Sequence, residues 1–95
     1  MGKTIHTDAV DNLFDAVLKL ETREECYKFF EDVCTINEIL SFAQRLEVAR
    51  MLLAGNTYLE ISEITGASTA TISRVNRSLT YGADGYRIVF ERLKK

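Results

Sequence analysis

Residues 35–55 place the tightest limit on what this chain can fold into. Ile39, Phe42, Leu46, Ala49 and Leu53 step by 3, 4, 3 and 4, the spacing of one face of an α-helix. Leu40, Ala43, Val48, Met51 and Leu52 make the other sides apolar too. A helix apolar around most of its circumference must be surrounded, so this one belongs at the centre of the fold. A chain of 95 residues has little with which to surround it. Folding alone, it buries roughly 60–65% of its unfolded surface, a small core for a self-sufficient monomer.

The chain has no proline, so helix boundaries must be read from caps and glycines. Thr22, Thr35 and Thr57 are each followed three residues later by glutamate, at Glu25, Glu38 and Glu60. In such a box the hydroxyl accepts from an unpaired first-turn amide while the carboxylate reaches back to the cap amide. A first helix is expected over about residues 8–19, with Val10, Leu13, Phe14, Val17 and Leu18 on one face. A second follows Thr22 and is expected to bury Cys26, Phe29, Phe30 and Val33. The third spans about residues 35–54 and ends at Gly55, a left-handed C-terminal cap. A fourth opens at Thr57, and Gly66 and the pair Gly82/Gly85 punctuate two more, about residues 68–80 and 84–94. The expected class is all-α, with about six helices in one domain over residues 1–95. Residues 1–54 would supply dimerisation helices, residues 57–79 a helix-turn-helix, and residues 84–94 a C-terminal helix.

An apolar fraction of 46% excludes disorder, and no run of about 18 apolar residues offers a membrane span. Met1-Gly2-Lys3-Thr4-Ile5-His6 has no apolar stretch for a signal peptide, and His6 stands where acylation would need serine or threonine. A cytoplasmic protein is expected. Cys26 and Cys34 would lie ~12 Å apart along a straight helix, too far for a disulfide, and are expected as reduced, buried thiols. One histidine leaves no ligand set for zinc. Asp8, Asp11 and Asp15 are spaced as a solvated helix face, and no nucleophile elbow or phosphate-cradling glycine loop is present. No catalytic residue, metal or cofactor is expected, and no enzyme.

A net charge of −2 and a pI near 5.4 argue, on average, against a polyanion partner. The average hides an asymmetry. Residues 1–65 carry 6 basic and 12 acidic side chains, net −6, whereas residues 66–95 carry 6 and 2, net +4.

The basic third contains most of the informative stretch, TYLEISEITGASTATISRVNRSL at residues 57–79. A helix-turn-helix needs a short helix, a tight turn and a second helix at a steep angle. Gly66 supplies the positive φ of the turn. Ile61 and Ile64 supply the first helix's packing, and Ile72, Val75 and Leu79 the second's; at 100° per residue those three fall within ~60° of one another. Ala70, Ser73, Arg74 and Arg77 then face outward, with Ser68, Thr69 and Thr71 at the N-terminal end. Small hydroxyl residues let a helix approach the major groove closely, Ala70 can touch a thymine methyl, and arginine can pair with guanine. Ser68 or Thr69 as N-cap would leave helix amides aimed at a phosphate. Residues 67–83 hold two arginines and no acid, which favours DNA over an ordinary solvated corner. Glu60 and Glu63 count against it if they face the duplex.

With these helices laid out, the chain resembles the Trp repressor superfamily, carried by QRLEVARMLLAG and TYLEISEITGASTATISR. Over its whole length it most resembles the YerC/YecD family of Trp-repressor-like bacterial proteins. The resemblance implies an intertwined homodimer with two helix-turn-helix heads on one side, bound to a near-palindromic site of double-stranded DNA. It also implies a ligand pocket: Arg45 and Arg74 match the arginines that flank indole, and Thr35 matches the threonine near the ligand's polar end. Backbone carbonyls at Asp32 and Cys34 match those near its amino group. Val75 departs from the pattern, standing where the repressor has glycine, and fills space the indole needs. A regulator, in the first instance a repressor, that does not respond to tryptophan is therefore expected, with Arg45 paired to Glu38 or Glu47 and no small-molecule effector implied. The rival function is a protein-protein interaction adaptor on the same fold, drawing on the acidic N-terminal half. A fragment resembling sigma-factor region four is disfavoured by the N-terminal helices.

Overall fold

Six α-helices and no strand form among the described residues, 4–94 of this computed structural model. They are α1 (Asp8–Val17), α2 (Arg23–Val33), α3 (Ile36–Leu53), α4 (Tyr58–Thr65), α5 (Thr69–Tyr81) and α6 (Gly85–Leu93). Met1 to Lys3, where the expected lack of a signal peptide was partly read, lie outside the described residues, as does Lys95. No helix among the described residues is long and apolar enough to cross a membrane.

Side-chain oxygens begin four of these helices. Thr7, Thr22, Thr57 and Ser68 each accept a hydrogen bond from an amide three residues on, at 3.1–3.2 Å. Only one of the expected boxes forms in full among these four: Glu60 Oε1 accepts from the Thr57 amide at 2.8 Å. Glu25 instead reaches one residue further back, to the Glu21 amide. At the other ends, Gly55 (φ +91°) and Gly66 (φ +75°) take left-handed conformations after α3 and α4.

The chain divides into two compact units, one up to Ile36 and one from Asn37 onward. In the first unit α1 and α2 bury no residue fully. Phe29 and Phe30 pack edge to face, 5.5 Å between centroids, and are half-buried. Cys26 and Val33, expected inside, are exposed, and Cys34 is half-buried; both thiols are free. Two short amphipathic helices have too little surface of their own to close over both apolar stripes.

In the second unit a core forms from Val48, Ala49 and Met51 of α3, Ile61 of α4, Ala67 in the turn, and Ile72, Val75 and Leu79 of α5. Leu52, Tyr86 and Phe90 pack against it, bringing α6 onto the cluster. Ile64, expected to help pack α4, is 68% exposed. Half-buried Ser62 and Thr65 show why: they centre the inward face about 100° from Ile64, and Ala67 beyond the turn fills the core instead. Within the chain, α3 buries only part of its apolar surface. Leu40 remains 61% exposed and Phe42 48%.

Candidate nucleic-acid interface

Helix α5 is positioned by opposite demands on its two sides. Ile72, Val75 and Leu79 anchor one side in the core. The other side presents Arg74 and Arg77 to solvent, and no acidic residue occurs anywhere along the helix. At its start Ser68 is the N-cap, its hydroxyl accepting from the Thr71 amide and meeting the Thr71 hydroxyl at 3.2 Å. Thr69 is the first helical residue, and Ser68, Thr69 and Ala70 are exposed. Thr71 and Ser73 are half-buried on the flanks. The first amides of a helix lack intrahelical acceptors, so those of Thr69 and Ala70 remain at an open, electropositive end. The sequence-selected set therefore gathers into an exposed, hydroxyl-rich tip followed by cations.

The two acids of α4 have different fates. Glu60 is held at the helix start by the Thr57 amide, by the Thr57 hydroxyl side and by Asn56, which keeps its carboxyl below the usual carboxylate range. Glu63 is exposed.

Arg45 and Arg74 come together. With Val75, Ser78 and Tyr86 they line a cavity of about 230 Å³ between α3, α5 and α6. Val75 is only 1% exposed and belongs to the core, so its branched side chain stands between this space and the apolar interior. Arg45 lies over the Phe42 ring, 5.3 Å from the centroid. Of the two acids expected for it, Glu47 is taken by Arg50, which holds that carboxyl down through a charge-assisted hydrogen bond. Thr35 is exposed just before α3, in the first unit. Among the described residues, no group of three or more His, Cys, Asp or Glu side chains could hold a metal ion.

Two contributors escaped sequence reasoning. The Gln44 side chain donates to the Thr65 carbonyl at 3.2 Å, and Arg87 donates to the Leu79 carbonyl at 3.2 Å. Neither has a spacing signature, because each reaches from a neighbouring helix to a backbone atom.

The sequence profile of the family described as Trp repressor protein matches residues 8–94. YerC, an uncharacterised protein of Bacillus subtilis strain 168, is 62% identical over 86 residues, covering 90% of this chain and 83% of YerC. A crystal structure of a TrpR-like protein from Eubacterium eligens ATCC 27750 superposes with a TM-score of 0.91 at 67% identity, covering 94% of this chain and 92% of that one. A candidate Trp repressor from Staphylococcus aureus superposes with a TM-score of 0.91 at 54% identity, covering 97% and 95%.

Proposed function

This chain belongs to the Trp repressor family, and from that premise we propose that it is a sequence-specific DNA-binding transcriptional regulator, a repressor, acting as a homodimer in the cytoplasm. The observation that carries the reading is the tip of α5: exposed Ser68, Thr69 and Ala70, then Arg74 and Arg77, on a helix without an acid. Thr71 and Ser73 flank that tip. A helix so equipped suits the major groove, with arginines available to phosphate or guanine and hydroxyls to base edges. Glu60 is engaged at its cap, so Glu63 is the acid of α4 that counts against phosphate contact.

The dimer is supported by apolar surface that one chain leaves uncovered, including Ile36, Leu40 and Phe42. Two-fold symmetry would set two recognition helices about 34 Å apart, over successive major grooves of a near-palindromic site. Val75, a branched side chain beside Arg45 and Arg74, supports a regulator that does not respond to tryptophan. No other effector is proposed.

Binding of labelled duplexes selected from a random library, measured over a salt series, tests this function. Affinity is expected to fall steeply with salt, and Arg77→Ala to lower the log–log slope by about one contact per subunit. Absence of binding even at low salt overturns the reading in favour of a protein-interaction adaptor. Calorimetry with L-tryptophan is expected to give no micromolar binding; a micromolar site would overturn the effector-free part alone.

A further inference from the structure

The apolar stripe of α5 fixes its depth in the unit more firmly than its angle. Ile72, Val75 and Leu79 lie along one line of the helix, and hydrophobic contact is non-directional. Such a line resists withdrawal better than tilt. At 13 residues α5 is about 20 Å long. A tilt of about 10° about one end would carry the other about 3 Å, well beyond the ~0.5 Å that a binding constellation tolerates. Something directional must set the angle.

Two half-buried hydrogen bonds supply it. Gln44, on α3, donates its amide to the carbonyl of Thr65, the last residue of α4. Arg87, on α6, donates to the carbonyl of Leu79 in the last turn of α5. Terminal helix carbonyls have no intrahelical donor, so each bond satisfies a group the helix itself leaves open. Thr65 is also tied into its own turn, its hydroxyl donating to Ile61 at 2.7 Å and accepting from the Ala67 amide at 3.1 Å. A pull on the Thr65 carbonyl is thereby transmitted to the entry of α5.

The geometry points to Gln44 and Arg87 as positioning residues, which clamp the C-terminal end of each helix of the motif and so fix the pitch of α5 for the duplex. This rests on the DNA-binding reading. Gln44 is uncharged, so it acts through geometry, with no part in neutralising phosphate.

Duplex affinity over a salt series and amide hydrogen exchange, measured on Gln44→Met and Gln44→Glu, test the assignment. Methionine keeps the length and loses the donor; it is expected to weaken binding roughly tenfold with the salt slope unchanged. Glutamate sets a carboxylate against the carbonyl and is expected to weaken it further. In both, exchange at Gly66 and Ala67 is expected to quicken while that at Val48 and Ala49 holds. Arg87→Lys, which keeps the charge but not the planar fork, is expected to lose a smaller part. A side chain that merely fills space would leave Met equal to Gln, and that result overturns the assignment. Unchanged protection at the turn overturns it as well. If the parent chain binds no duplex, the DNA-binding reading fails by itself, and the exchange measurements still decide whether Gln44 holds the turn.

Discussion

The helix-turn-helix and the N-terminal helices carry apolar residues at the same helical spacing, yet only the first buries them. Ile61 and Ile72 are 0% exposed and Val75 1%, all within their own compact unit. Helices α1 and α2 bury nothing fully, and Leu18 is left 79% exposed. Periodicity therefore reports that a face needs covering and is silent on what covers it. The head closes over its stripe because a left-handed turn at Gly66 folds α5 back across α4, with α3 and α6 packed alongside. Helices α1 and α2 have no such arrangement within their unit, and a second copy is the proposed cover.

Core truncation in the head gives the largest expected effect. Ile72→Ala should lower unfolding stability by about 2–5 kcal/mol, read by chemical denaturation followed by circular dichroism. A smaller loss than the same truncation causes at Leu18 would erase the contrast between the two regions.

Next comes the exposed face of α3. Leu40→Asp should leave the helices formed but weaken self-association roughly hundredfold, measured by sedimentation equilibrium. If the parent chain sediments as a stable folded monomer at micromolar concentration, the uncovered faces serve some other purpose and the proposed dimer fails.

The turn that makes the head self-sufficient is a weaker lever. Gly66→Ala should cost about 1–2 kcal/mol, since φ is +75° and a Cβ meets nothing nearby, leaving backbone strain as the sole penalty. Gly66→Asn should cost less, and a neutral alanine would mean the turn can relax.

Acidification should have the smallest effect, confined to the start of α4. The Thr57 amide holds the Glu60 carboxyl below its ordinary value. A depressed carboxyl contributes stability that is present above its unfolded pKa and lost as pH falls through the folded one. The Thr57 amide shift should therefore move in acid, at a midpoint below the ordinary glutamate value, in an NMR titration. A midpoint at the ordinary glutamate value would show the cap to be unformed in solution.

The class of the fold, its helix order and the position of α5 were legible because caps act over three residues. Thr57 with Glu60, Ser68 ahead of Thr69, and the glycines at 55 and 66 each act on atoms a few residues away, so their effect is written locally. The outward and inward sides of α5 followed from a period that a helix imposes on itself. What escaped the spacing of residues depends on a distant neighbour. Ile64 looked like core and is outside, because half-buried Ser62 and Thr65 turn α4 another way. Ala67 lies in a turn, outside any periodic pattern, and is buried.

Arg74 shows the division most clearly. Its place on the outward side of a helix could be read from spacing, while its meeting with Arg45 around a small cavity required α3 to pass alongside. Gln44 and Arg87 belong wholly to the second kind, reaching carbonyls 21 and 8 residues away. By itself the sequence determined where helices start, where they stop and which side of α5 is polar, since those follow from covalent neighbours and a 3.6-residue turn. Tertiary structure alone decided which apolar faces are covered, and which polar side chains hold the head, since burial and directional bonding are properties of surfaces brought together.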